Sequence, residues 1–89
     1  MPVLILTSAA LSEFTRAPSG PIPIWLPASV ASASELTSLR SAGFDVTQLL
    51  YDVRTQIDLD RALDTVSEHH PSEPLEVIPK DWQPFGHTS

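Results

Sequence analysis

Residues 49 to 63 read LLYDVRTQIDLDRAL, and they concentrate the side chains that could do chemistry. Tyr51, Asp52 and Thr55 fall where an apolar strand runs into a helix. In open α/β sheets ligands gather at the carboxyl ends of strands. These three residues are therefore candidates to bind a nucleotide or a sugar phosphate. The same spacing has a purely structural meaning. Thr55-x-x-Asp58 is close to a capping box, in which each side chain satisfies an orphan amide of the first helical turn. Asp58 and Asp60 also sit where the helix dipole favours negative charge. Capping explains Thr55 and Asp58, but it leaves Tyr51-Asp52-Val53 without a purpose.

Other constellations reduce to structure. Asp60 and Asp64 are four apart and share a helix face. Arg61 can pair with Asp58 or Asp64 at a spacing of three, which reads as a solvated face. His69-His70-Pro71 closes the long helix, where histidine suits the dipole. Adjacent histidines point in different directions, and only His87 and some acids could complete a metal set, so no metal is expected. No Gly-x-Ser-x-Gly elbow and no Walker or Rossmann glycine pattern occurs. The expectation is a protein without catalytic machinery and without a cofactor.

The chain has 89 residues, enough for one modest core. Hydrophobic content of 42% against 18% charged is globular rather than disordered. There is no cysteine, hence no disulfide or thiolate site, which suits a cytoplasmic location. Five Lys and Arg stand against 11 Asp and Glu, a net charge of −6. The five cations form no run, which argues against a nucleic-acid partner. An acidic surface fits a basic protein partner better. No apolar stretch is long enough to span a bilayer, so no membrane role is expected. The opening MPVLILTSAAL lacks the charged start of a signal peptide, and Thr7 and Ser8 break its apolar run.

The elements that must position these residues follow from periodicity. Val3 to Leu6 (VLIL) suits a strand buried on both faces. Thr7 or Ser8 can cap a helix to about Arg16, with Leu11 and Phe14 on one side. In PIPIWLP, Ile22, Ile24 and Leu26 alternate as a buried strand face does. Pro21 and Pro23 lose donors on the same side, which predicts an edge strand over 22–26. A polyproline-type ligand is the rival reading. Ser29 to Ala42 reads as a helix capped by Ser32 or Ser34, with Glu35 in its first turn and Gly43 as its stop. Strand 46–53 and a helix from Thr55 to about His69 follow, the latter with Leu59, Ala62, Leu63 and Val66 on one face. Strand 75–78 comes last. The alternation predicts an α/β domain over 1–78, of two or three layers, with a mostly parallel sheet of about four strands and about three helices. Residues 79–89 form a tail carrying Trp82 and Phe85. Such aromatics either cover the sheet or mark a binding hot spot.

The run from Leu39 to Leu63, LRSAGFDVTQLLYDVRTQIDLDRAL, resembles a known phrase. It is similar to the C-terminal segment of small bacterial transferases of the glycosyltransferase-A, or nucleotidyltransferase-like, fold, and the likeness extends over residues 22–63. Leu39, Gly43, Val46, Leu49, Leu50, Tyr51, Asp52, Val53, Thr55, Asp58 and Leu59 fall where that family has them. The resemblance implies an α/β fold and a nucleotide or sugar-phosphate site near Tyr51, Asp52 and Thr55. It also has gaps. An acidic, metal-holding residue is expected between Val53 and Thr55, and Arg54 stands there. A cation at that position repels a hard metal. Gln56 and Ile57 replace the family's proline and glutamate. The glycine-rich phosphate loop and the Asp-Gly-Gly type metal motif are missing.

The expected function is therefore protein association, with a protein partner or a second copy, through Asp60, Asp64, Trp82 and Phe85. The alternative is a nucleotide- or sugar-phosphate-binding remnant using Tyr51, Asp52 and Thr55.

Overall fold

The computed structural model describes residues 1–16 and 22–84. Four strands, β1 (Val3–Ile5), β2 (Ile24–Leu26), β3 (Val46–Gln48) and β4 (Glu76–Ile78), alternate with three helices, α1 (Ser8–Arg16), α2 (Ala33–Ser41) and α3 (Gln56–His69). The strands form one parallel sheet in the order β3-β2-β1-β4. This is the α/β architecture that the alternation predicts.

The sheet carries two cores that differ by the two-residue period of a strand. Val3, Ile5, Ile24, Leu26 and Val46 pack on one face with Leu11 of α1 and Leu36 of α2. Leu4, Leu6, Trp25 and Leu49 pack on the other with Ala62 and Val66 of α3. The domain therefore has three layers. The chain steps from β1 through β2 to β3 in one direction, then returns across the sheet to β4. Crossovers of one hand place a helix on opposite faces when the direction of travel reverses. That is why α3 stands apart from α1 and α2.

Local chemistry sets the helix ends. Thr7 Oγ1 accepts from Ala10 N (3.1 Å) ahead of α1. Ser32 and Glu35 form a capping box on α2, so the helix starts at Ala33 rather than near Ser29. The preceding residues are used in a turn, with Val30 N donating to Pro27 O. Gly43 stops α2 at φ 97, in the left-handed region that glycine tolerates. Gly43 N donates to Arg40 O and Phe44 N to Leu39 O, the two bonds of a Schellman ending.

Two expectations about strands are corrected. Strand 22–26 is not an edge: β2 pairs with β1 and β3, and the edges are β3 and β4. Pro23 is tolerated because it precedes the first paired residue. Its carbonyl accepts from Val3 N (2.9 Å), so its missing donor faces the β1 side below the point where β1 begins to pair. Pro21 lies outside the described residues.

Strand 46–53 stops at Gln48. Ile24 N donates to Asp45 O, and Leu49 N to Leu26 O. A regular parallel ladder would next deliver Ala28 N to Leu49 O. Ala28 N donates instead to Tyr51 O (3.1 Å). Two extra residues are thus looped out of the pairing, and Leu50 is carried fully into solvent. The other strands, expected over 3–6 and 75–78, are shorter at their ends by one residue each.

Candidate functional site

The order in which the chain adds strands reverses between β1 and β4, and there the carboxyl ends of the parallel strands open into a cleft of about 470 Å³. A crevice at such a switch point is where ligands bind in open α/β sheets. Leu6 and Thr7 enter it after β1, Pro27, Ser29 and Val30 after β2, Asp52 to Arg54 after β3, and Pro79, Asp81, Trp82 and Gln83 after β4. The β-end loops supply an apolar wall together with hydroxyl, carboxylate, guanidinium and indole groups.

Asp52 is the best-held polar residue of the cleft. Its Oδ1 accepts from Ser29 N (2.7 Å), and its Oδ2 pairs with Arg54 Nη2 (3.1 Å). Hydrogen bonding from Ser29, helped by the Arg54 charge, holds its carboxyl below the usual value and keeps it ionised. Asp52 thereby ties the loop after β3 to the loop after β2. Gln48 Nε2 donates to Ala28 O (2.7 Å) and makes a second tie between them.

The three ligand candidates at the junction part company. Asp52 lines the cleft, whereas Tyr51 and Thr55 do not. Thr55 caps α3: its Oγ1 accepts from Asp58 N, and Asp58 Oδ2 accepts from Thr55 N and Arg54 N. The amides of Arg54 and Thr55 also hold the Asp58 carboxyl below its usual value. Tyr51 packs its ring into the α3-side core. Its hydroxyl is buried and meets no partner among the described residues. Arg61, expected to pair with Asp58 or Asp64, places its guanidinium 5.4 Å from the centre of the Tyr51 ring instead.

The protein-binding candidates are also dispersed. Asp60 and Asp64 are exposed on the outer face of α3, and Gln56 Nε2 donates to Asp60 Oδ1 (3.1 Å). Trp82 folds back: it is half-buried, packs against the α3-side core and lines the cleft. Phe85 and His87 lie outside the described residues.

Two apolar residues escape a reading by periodicity. Leu50 is 99% exposed and Ile57 is 73% exposed. Placing residue 50 within a strand hid the first, because its exposure comes from the two-residue loop opposite Ala28. Ile57 had a signal, since it stands off the buried face of α3. Ser29, Asp81 and Gln83 were likewise not singled out, because only the fold brings four separate loops together.

Among the described residues no three His, Asp or Glu side chains stand close enough to hold a metal ion. No described helix is long and apolar enough to cross a membrane. Comparison with protein-family models, with curated proteins and with solved structures returned no match.

Proposed function

We propose that this chain is a small, acidic, non-catalytic association protein that docks a protein partner through exposed apolar residues, Ile57 on the outer face of α3 and Leu50 after β3. The observation behind this reading is the exposure of Leu50 (99%) and Ile57 (73%). Single exposed apolar residues are ordinary. Here the chain leaves the ladder to present Leu50. Ile57 shares a helix face with Asp64 and Glu68, at spacings of seven and eleven, and Asp60 borders it. Apolar anchors beside acidic groups match a partner with an apolar centre and a basic rim. The net charge of −6 would steer such a partner. It also disfavours nucleic acid and anionic membrane surfaces. A cytoplasmic setting agrees with the lack of cysteine.

The test is the double substitution Leu50→Ser with Ile57→Ser, checked for retained fold by circular dichroism. The reading is supported by a bound protein, or a dimer, that the wild-type chain forms and the double variant loses. It is sunk by a wild-type chain that stays monomeric and unpartnered, or by association that survives both substitutions.

A further inference from the structure

We infer that the cleft at the strand ends is a binding site for a small organic cation, an ammonium group carried on an apolar body. This goes beyond the association reading and uses a different surface. The cleft contains two carboxylates, Asp52 and Asp81, and one cation, Arg54. Arg54 and Asp52 are held together at 3.1 Å and largely cancel. Asp81 makes no ion pair among the described residues. The side chains that line the cleft therefore sum to one negative charge, with Lys80 beside Asp81 outside the lining, in a molecule whose overall charge has the same sign. A net charge held beside low-dielectric walls attracts a counter-ion.

The walls suit the rest of such a ligand. Leu6, Pro27 and Val53 are buried apolar residues that line the cleft. Trp82, next to Asp81, also lines the cleft, and indole is the side chain that best attracts an ammonium through its π face. The turn that sets this pair is fixed by Trp82 N donating to Pro79 O (3.2 Å). An anionic ligand meets the opposite conditions. The one guanidinium is already engaged by Asp52, and Asp81 repels a phosphate or a carboxylate.

Three probes with the same aromatic body separate charge from shape: phenethylammonium, neutral phenethyl alcohol and anionic phenylacetate, with inorganic phosphate as a fourth. Each is titrated into the full chain, followed by tryptophan fluorescence and amide NMR shifts. The expected result is saturable binding of phenethylammonium, with shifts at Thr7, Ser29 and residues 81–83. Asp81→Asn should weaken it about two- to fivefold, the range of a single exposed charge contact, and Asp81→Glu should restore it. Tighter or equal binding of phenylacetate, phosphate or the alcohol overturns the inference. So does the absence of saturable binding, or shifts confined to other parts of the molecule.

Discussion

The indole N–H of Trp25 donates to Nε2 of His70 across 3.2 Å, joining the middle of the sheet to the end of α3. Trp25 is only 5% exposed. Because Nε2 accepts, the ring proton sits on Nδ1, which points at Glu73 Oε2 (3.0 Å). The His70 ring also stands edge-on to the indole. The adjacent histidines have separate tasks: His69 packs tilted on Trp25, and its Nδ1 meets Thr65 O.

Replacing His70 with Phe keeps the ring but removes the acceptor. A buried donor without a partner costs about 1–3 kcal/mol, and urea unfolding of His70→Phe should show a loss in that range. His70→Gln offers a carbonyl oxygen in place of Nε2 and should recover part of it. A loss confined to about 0.5 kcal/mol, the level of ordinary surface changes, would mean that the bond adds little.

Three carboxyls titrate below their usual values: Asp52 through Ser29, Asp58 through the Arg54 and Thr55 amides, and Glu73 through His70. A carboxyl depressed in the folded state binds its proton more readily once unfolded. Its contribution is complete above the unfolded value and lost as pH falls through the folded one. Stability from these groups should therefore hold from neutral pH down to about pH 4 and decline below it. Thermal unfolding across this window checks the sign. Asp52→Asn and Asp58→Asn should each flatten the acid limb, and a limb that keeps its slope in both variants would contradict the assignment.

Thr55 is a capping residue whose function is mechanical. Thr55→Ala should cost about 1 kcal/mol by denaturant unfolding, the usual loss on removing an N-cap. Thr55→Ser keeps the oxygen and should cost much less. Equal losses in the two would point to the methyl group rather than to the hydrogen bond from Asp58 N.

The caps show what was legible in the chain. Thr55 with Asp58, and Gly43 after α2, act within four residues of themselves, so their types and spacing suffice. The buried run of β1 and the helix–strand alternation are equally local signals. The position of β2 is different. Whether Pro23 stands at an edge or at the foot of an interior strand depends on where β1 begins, some twenty residues away in sequence. The exposure of Leu50 depends on which carbonyl Ala28 finds. The cleft exists only because four loops meet at the carboxyl end of the sheet, and no single segment carries its pattern. The burial of Trp82 belongs to the same class, since its neighbours come from the α3 side of the core.

Leu49 and Leu50 are neighbours with opposite fates. Leu49 is buried against the α3-side core, and Leu50 touches solvent. Leu49→Ala should cost about 2–5 kcal/mol, as core truncations do. Leu50→Ala should stay within about 0.5 kcal/mol. Paired denaturant curves decide this. Similar losses at both positions would mean that residues 49–51 continue the ladder instead of looping out opposite Ala28.

Trp82 tests where the described chain finishes. It is half-buried, so its removal strips part of the cover from the α3-side core without opening the centre. Trp82→Ala should cost about 1–3 kcal/mol, between a surface change and a full core truncation. Trp82→Phe keeps most of the apolar contact and should cost less than half as much. The indole emission makes a second readout. Trp25 is buried and Trp82 lines an open cleft, so a soluble quencher should reach Trp82 first. Quenching should fall sharply in Trp82→Phe and remain nearly unchanged in Trp25→Phe. A quencher that affects both variants alike, together with a loss near zero in Trp82→Ala, would place this indole in solvent and remove it from both the core and the cleft.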